Sequence, residues 1–211
     1  MIRFISVDID GCLNHGKDAK PDQIKLKKLS KLIVLKRNQF SFSLNSGRDV
    51  NYVRYYAKLL SLTDPSVCEN GGIIYYPSID KCKMHPVISS NYLYELRNLE
   101  DKIMWHVARI FPGYSLEKGK QTMISVNPPN GIPIIDFFNE ISSFVTKNYN
   151  EYIVTRSASA VDISLKSIDK SEGLRLVLQE LNVDYSEVCA IGDSINDLVV
   201  LQKVGYSACP N

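Results

Sequence analysis

Four short polar stretches of the sequence carry residue types that can bind a metal ion or transfer a proton. They are Asp8-Ile9-Asp10-Gly11, Asn45-Ser46-Gly47-Arg48, Lys170, and Gly192-Asp193-Ser194-Ile195-Asn196-Asp197. The first, second and fourth directly follow an apolar run that predicts a buried strand. Carboxylates are disfavoured inside strands, so two aspartates at the end of a strand require a chemical reason.

The chemistry that these residue types allow is phosphoryl transfer. The aspartates of the stretches are Asp8, Asp10, Asp193 and Asp197. Carboxylates at close range do not all stay ionised without a cation, and several of them suit Mg²⁺. Ser46, Lys170 and the backbone amides of turns and helix starts suit a phosphate group. A divalent cation, a phosphate cradle and a further carboxylate together predict a phosphoryl-transfer site.

Each stretch alone has a simpler explanation, because an aspartate after a strand is often the N-cap of the next helix. We expect Asp22 and Asp49 to be N-caps only. The occurrence of all four stretches in one chain, in this order, is much harder to explain by capping alone.

The elements that must position these residues alternate between strand and helix at both ends of the chain. Strands are predicted over 3–7, 40–44, 66–68, 160–165 and 187–191, and helices over 21–37, 49–60, 170–181 and 195–203. This order predicts a parallel sheet with helical crossovers. Ligands of such sheets bind beyond the carboxyl ends of the strands, so the topology gathers stretches that are distant in sequence.

The middle of the chain is more irregular. Helices are predicted over 90–110 and 133–147 and strands near 114, 122–126 and 152–155, with a Pro-Pro-Asn-Gly turn between them. We therefore predict an α/β fold: a Rossmann-like parallel-sheet core over 1–76 and 157–211, interrupted by an α+β cap domain over 77–156.

Composition and charge argue against several classes of protein. The 211 residues are 45% hydrophobic and 23% charged, and the net charge of +2 is too small to imply a nucleic-acid or membrane partner. The lysines between 25 and 36 alternate with leucines at helical spacing, which predicts a solvated helix face. The sequence predicts no oligomeric state.

The N-terminal segment and the cysteines indicate the cellular compartment of the protein. The N-terminal segment MIRFISVDID lacks a signal-peptide layout, and no apolar run approaches membrane-spanning length. The five cysteines are widely spaced and contain no CxxC, so neither a disulfide framework nor a zinc site is predicted. We expect a cytoplasmic protein with reduced thiols.

Taken together, the four stretches resemble the motifs of the haloacid dehalogenase-like phosphohydrolases. Asp8-Ile9-Asp10-Gly11, Ser46, Lys170 and the 192–197 stretch match motifs one to four in order. Glu69-Asn70-Gly71-Gly72 is similar to a turn of the Cof-type subgroup, and an insertion between motifs two and three implies a C2-type cap. In size, the chain resembles archaeal-type phosphoglycolate phosphatases and related sugar phosphatases.

The resemblance implies a role for each motif residue. Asp8 would be the nucleophile that takes the phosphoryl group as an aspartyl-phosphate, and Asp10 the acid and then the base. Mg²⁺ would be held by Asp8, the main-chain carbonyl of Asp10, Asp193 and Asp197, although Asp197 could instead hold Lys170 in place. The phosphate would be bound by Ser46, Gly47, Lys170 and Asn196.

The sequence departs from the family pattern at two places. Cys12 stands where the family most often has threonine, and we interpret it as a packing residue, since a reactive thiolate needs a nearby activator. We expect the neighbouring His15 to be exposed or structural. The chain also ends at Asn211, where the family usually continues through another helix and strand.

The resemblance predicts a Mg²⁺-dependent phosphatase of a small phosphorylated metabolite, either a sugar phosphate or phosphoglycolate. Two alternatives stay open: a phosphotransferase or phosphomutase on the same core, and a non-catalytic binding protein that keeps the fold. Candidate substrate contacts are Arg48, Lys118, Lys120, Gln121 and Arg156, each equally well explained as a surface residue.

Overall fold

A computed structural model of the chain describes residues 1–16, 19–157 and 159–210. The chain divides into two compact units. The first unit comprises Met1–His85 and Ile168–Asn211, and the second unit comprises Pro86–Ser167. Within the described residues, no helix is both long enough and apolar enough to cross a membrane.

The elements follow one another as strands and helices along most of the chain. The strands are β1 (Phe4–Val7), β2 (Ser41–Leu44), β3 (Ser66–Cys68), β4 (Ile73–Tyr76), β5 (Lys81–Met84), β6 (Ser115–Leu116), β7 (Ile124–Asn127), β8 (Tyr152–Arg156), β9 (Val161–Leu165), β10 (Val188–Ile191) and β11 (Tyr206–Ala208). The α-helices are α1 (Gln23–Lys36), α2 (Val50–Leu59), α3 (Ser90–Ile110), α4 (Ile134–Asn148), α5 (Lys170–Leu181) and α6 (Leu198–Leu201).

A four-stranded parallel sheet with the order β11-β10-β1-β2 forms the centre of the first unit. Side chains of β1 alternate between its two faces. Phe4 packs with α5 and α6, whereas Val7 packs with α1 and α2. Because helices cover both faces, β1 and β2 are largely buried, including the small polar residues Ser6 and Ser43. This confirms the predicted α/β class with a Rossmann-like core.

The three central strands end at one edge of this sheet. Val7 is aligned with Leu44 on one side and with Ile191 on the other. The polar residues that follow each strand, including Asp8 and Asn45, therefore lie close together, as the sequence predicts.

Helices α1 and α2 begin at aspartate N-caps. The Asp22 carboxylate accepts hydrogen bonds from the amides of Ile24 and Lys25. Asp49 accepts from the amides of Asn51 and Tyr52. Both aspartates act as the predicted caps, which satisfy amides that have no partner in the first turn.

The region after β2 differs from the predicted parallel order. Strand β3 forms an antiparallel sheet with β4 and β5. An isolated parallel bridge from Asn45 to Val67 and a hydrogen bond from the Leu44 amide to the Ser66 hydroxyl join it to the end of β2. The turn between β3 and β4 has three successive residues with positive φ: Glu69 (50°), Asn70 (52°) and Gly71 (104°).

The second unit is an antiparallel sheet with the order β6-β7-β9-β8 and two helices. Helix α3 is capped by Ser89 and buries an apolar stripe against one face of the sheet together with α4. Alternate residues point to the other face, where Ser125 is aligned with Asp162. The result is a compact α+β unit with a hydrophobic core of its own.

Strand β9 lies in a different place from the one the sequence suggested. The sequence placed it in the core, but β9 pairs antiparallel with β7 and β8 of the second unit. Strand β5, predicted to fall in the cap, pairs with β4. The compact second unit thus spans Pro86–Ser167 rather than 77–156. The predicted helix over 195–203 is shorter, with a 3₁₀ turn at Ile195–Asp197 before α6.

Candidate active site

Asp8 lies directly after β1, with its amide bonded to the Ile191 carbonyl at 2.9 Å. Only 7% of the residue is exposed. Its Oδ1 lies 3.1 Å from the Nζ of Lys170. Burial raises the pKa of Asp8 to about 6, the charge of Lys170 opposes this, and the charge of Asp197 adds to it.

Lys170 is the first residue of α5, and it is 3% exposed. Its Nζ donates to Asp197 Oδ1 at 2.6 Å in addition to its contact with Asp8. Burial would lower the pKa of Lys170, but the two carboxylates outweigh burial and raise it. The Asn45 side chain donates to the Lys170 carbonyl at 3.1 Å, which ties the start of α5 to the end of β2.

Asp197 has a partner on each oxygen. Oδ1 accepts from Lys170, and Oδ2 accepts from the amide of Ser194 at 3.0 Å and from its hydroxyl at 2.8 Å. Of the two roles considered for Asp197, this geometry matches the residue that holds Lys170 in place.

Asp193 completes a group of three carboxylates. Ligand atoms of Asp8, Asp193 and Asp197 all lie within 4.8 Å of one another. Burial and the charge of Asp197 raise the pKa of Asp193. Gly11 adopts a φ of +83°, and a Cβ at this position would overlap the Asp193 carboxylate, so only glycine fits.

The donor set of this group fits a hard divalent cation. Three carboxylates face a single lysine, and burial is the main cause that raises the pKa of Asp8 and of Asp193. Clustered carboxylate oxygens are the ligands that Mg²⁺ prefers in proteins.

Asp10 faces away from the three carboxylates. Arg48 Nε donates to its Oδ2 at 2.6 Å, and the hydroxyl of Tyr52 donates to its Oδ1 at 2.9 Å. The chain leaves strand geometry at Ile9, whose carbonyl accepts three following amides. This turn frees Asp10 from the i, i+2 alternation of a regular strand.

The loop after β2 places Ser46 and Gly47 beside the same edge of the sheet. Ser46 is buried, and its amide donates to the Val67 carbonyl at 3.0 Å. A Cβ on Gly47 would lie 2.8 Å from Asn70 Oδ1, so the loop and the 69–71 turn approach each other closely. Asn196 is half-buried between Asp193 and Asp197, and no described contact joins it to either residue.

The other sequence candidates separate into buried and exposed residues. Cys12 packs against the hydrophobic core, and burial with the nearby charges of Asp8 and Asp193 raises its pKa to about 12, which agrees with a packing role. His15 is exposed, as are Lys118 and Arg156 of the second unit.

Lys120 is the exception among the candidates of the second unit. Its side chain is 6% exposed, and its Nζ lies 3.3 Å from Glu117 and 3.5 Å from Asp162. The backbone carbonyls of Lys120 and Gln121 accept hydrogen bonds from Arg97, which anchors this loop to α3.

Sequence reasoning missed three residues near Asp10: Asn14, Tyr52 and Tyr56. Asn14 Nδ2 donates to both tyrosine hydroxyls, at 2.9 Å and 2.7 Å. The spacing of Tyr52 and Tyr56 is visible in the sequence as an i, i+4 pair on one helix face. Such a pair ordinarily indicates packing, and no sequence signal connects it with Asp10.

Comparison with known proteins defines the class of this chain. The family model of the haloacid dehalogenase-like hydrolases matches residues 5–106 and 115–209. The chain therefore belongs to the haloacid dehalogenase-like hydrolase family.

Individual relatives are similar over nearly the whole chain. The phosphoglycolate phosphatase 1 of Saccharolobus solfataricus is 27% identical over 98% of this chain and 81% of its own length. The sucrose-phosphatase of Synechocystis, solved with sucrose and phosphate, superposes with a TM-score of 0.68 at 20% identity, covering 97% of this chain and 80% of that one.

A haloacid dehalogenase-like hydrolase from Bacteroides thetaiotaomicron gives a TM-score of 0.74 at 16% identity, covering 99% of this chain and 88% of that one. The two structures establish the likeness of fold. The family and the phosphatase relatives together make the chain an enzyme, a hydrolase of the phosphatase class.

Proposed function

We propose that the protein is a Mg²⁺-dependent phosphatase that hydrolyses a small phosphorylated metabolite through an aspartyl-phosphate on Asp8. The observation that carries the proposal is the placement of Asp8. It is a buried carboxylate at the edge of a parallel sheet, paired with Lys170 and grouped with Asp193 and Asp197. A carboxylate so placed is held in one position, as a nucleophile must be.

In the first step, an Asp8 oxygen forms a bond to phosphorus while the bond from phosphorus to the ester oxygen breaks. Asp10 gives its proton to that leaving oxygen. Lys170 offsets negative charge on the phosphoryl oxygens, and Ser46 and the Gly47 amide orient them. Asn196 supplies a further amide to the phosphate.

In the second step, Asp10 accepts a proton from a water molecule as the water oxygen bonds to phosphorus. The bond between phosphorus and Asp8 breaks, which releases inorganic phosphate and restores the carboxylate. The two aspartates need different surroundings for these roles, and their side chains indeed contact different partners.

Asp8, Asp193 and the main-chain carbonyl of Asp10 would hold Mg²⁺, with Asp197 beside them. The bound cation would supply positive charge that stabilises the phosphoryl group during transfer. The chain's own contribution is to keep the ligand oxygens close together before the ion binds.

The proposed substrate is phosphoglycolate or a sugar phosphate. Support comes from relatives named phosphoglycolate phosphatase, which are 27% and 25% identical, and from the fold of a sucrose-phosphatase. A panel of phosphoglycolate and hexose phosphates, assayed for phosphate release, ranks these candidates.

Hydrolysis of p-nitrophenyl phosphate tests the proposed mechanism. We expect activity that is lost in EDTA and restored by Mg²⁺, and a fall of roughly a thousandfold or more in Asp8→Asn. Asp22→Asn is the matched control, because Asp22 caps α1 and asparagine caps equally well. Full activity in Asp8→Asn, or activity indifferent to EDTA, would contradict the proposal.

A further inference from the structure

Tyr52 contacts both members of the ion pair at Asp10. Its hydroxyl donates to Asp10 Oδ1 at 2.9 Å, while Arg48 Nε donates to Oδ2 at 2.6 Å. The Arg48 guanidinium lies over the Tyr52 ring, with 5.0 Å between Cζ and the ring centroid. We infer that Tyr52 is a positioning residue for Asp10, an inference that rests on the phosphatase function proposed above.

Asn14 fixes the direction in which the Tyr52 hydroxyl points. The Gly16 amide, which can only donate, lies 2.9 Å from Asn14 Oδ1, so the Asn14 NH₂ group must face the other way. That NH₂ group donates to the Tyr52 hydroxyl at 2.9 Å. Because an amide NH₂ accepts no hydrogen bond, the single hydroxyl proton of Tyr52 is directed to Asp10.

The residues that Tyr52 packs against are buried. Tyr56 is 1% exposed and belongs to the hydrophobic core, and its hydroxyl accepts the second hydrogen bond from Asn14 at 2.7 Å. The Tyr52 and Tyr56 rings lie 5.2 Å apart on one face of α2. Asp49 caps the helix and fixes its first turn, in which Tyr52 lies. Asp10 is therefore braced against the core.

The contacts with Tyr52 and Arg48 restrict rotation of the Asp10 carboxyl group. A carboxyl group that is free to turn about its Cβ–Cγ bond presents either oxygen to the substrate. Tyr52 at Oδ1 and Arg48 at Oδ2 together fix the plane of the Asp10 carboxyl group, so the lone pairs that remain for proton exchange keep one direction. Loss of that orientation slows the reaction most when the leaving group needs a proton.

Tyr52→Phe tests the inference, with phenyl phosphate and p-nitrophenyl phosphate as probes. Phenolate leaves poorly without a proton, whereas p-nitrophenolate leaves readily. We expect kcat for phenyl phosphate to fall about tenfold and kcat for p-nitrophenyl phosphate to fall less than about twofold. KM should stay within about twofold for both, since Tyr52 holds an enzyme group and not the substrate.

Two further variants separate positioning from a general structural effect. Tyr55→Phe removes an exposed hydroxyl from the same helix and should leave both rates unchanged. Asn14→Ala keeps Tyr52 but removes the amide that directs its hydroxyl. We therefore expect kcat for phenyl phosphate to fall more than kcat for p-nitrophenyl phosphate, but by a smaller factor than in Tyr52→Phe. If thermal unfolding shows that Tyr52→Phe is poorly folded, the kinetics of Asn14→Ala test the positioning role instead.

The outcomes are distinct. Equal losses with both probes, or no loss in a folded Tyr52→Phe protein, would overturn the positioning role while leaving the phosphatase function intact. A wild-type protein without activity on either probe would instead overturn the proposed function, and the positioning role with it.

Discussion

Each unit of the molecule contains a lysine whose side chain is buried beside two carboxylates, and only the first of these groups includes residues proposed for catalysis. The first-unit triad is Lys170 with Asp8 and Asp197, and the second-unit triad is Lys120 with Glu117 and Asp162. All six side chains are mostly removed from solvent.

The two triads differ in the distances between the lysine nitrogen and the carboxylate oxygens. Lys170 approaches its partners to 2.6 Å and 3.1 Å, whereas Lys120 lies 3.3 Å and 3.5 Å from its partners. Lys170 joins residues from both ends of the chain. Lys120 and Glu117 are instead three residues apart, so half of that triad is local in sequence.

The larger difference is the surplus of negative charge. A third carboxylate, Asp193, joins the first-unit triad, and burial raises the pKa of both Asp8 and Asp193. In the second-unit triad, Ser125 donates a hydrogen bond to Asp162 and thereby satisfies it. The two triads therefore differ in the number of carboxylates grouped around one lysine, and the group at the strand ends is the one proposed to bind a cation.

Replacing each lysine by methionine gives the largest expected contrast. Lys170→Met leaves Asp8 and Asp197 buried without the counter-charge of Lys170 and removes the cation proposed to face the phosphate. We expect kcat for p-nitrophenyl phosphate to fall by about a thousandfold. Lys120→Met should keep activity within about fivefold and cost about 1–3 kcal/mol in the free energy of unfolding. Comparable losses of activity in both variants would remove the distinction between the triads.

Mg²⁺ should stabilise the first-unit site only. At a hundredfold excess over its Kd, the ion adds about 2.7 kcal/mol to the free energy of unfolding. In a thermal unfolding scan at pH 7.5 we expect a Mg²⁺-induced rise in Tm that Asp193→Asn abolishes and Asp162→Asn preserves. A rise that survives Asp193→Asn would place the ion elsewhere.

The same Mg²⁺ effect should depend on pH. In the metal-free protein the pKa of Asp8 is raised from 3.8 to about 6, so the folded state holds a proton there that the unfolded state has lost. This contribution to stability is present at acid pH and disappears as pH rises through about 6. Mg²⁺ needs the ionised carboxylate, so its stabilising effect should shrink as pH falls from 7.5 to 5. A pH-independent rise in Tm would contradict this.

The smallest contrast comes from the serine that supports each triad. Ser194→Ala removes a 2.8 Å hydrogen bond to Asp197, which loosens the residue that holds Lys170. We expect kcat to fall several-fold, with about 1 kcal/mol lost in stability. Ser125→Ala removes the hydrogen bond to Asp162 and should show a similar loss of stability in urea titration, with kcat unchanged. The reverse pattern would mean that the second-unit triad serves the reaction.

Local signals were enough to predict most elements of the fold. The predicted limits of α3 and α5 coincide with the observed helices, because apolar residues at helical spacing and capping side chains mark them in the sequence. Strand β9 shows where this approach fails. Its apolar pattern identifies a strand but does not identify the partner strands, which were expected in the core and lie in the second unit.

The sequence by itself determined the residues of the proposed site: which aspartates follow strands, where Lys170 begins a helix, and that the motifs share one sheet edge. Residue type and strand order are enough for this, because parallel topology aligns strand ends. Only the tertiary structure decided that Asp10 turns away from the carboxylate group, that both oxygens of Asp197 are engaged, and that Tyr52 braces Asp10. The contacts of Tyr52 with Asp10 and of Lys170 with Asp197 join side chains distant in sequence, and their geometry depends on packing that no local pattern encodes.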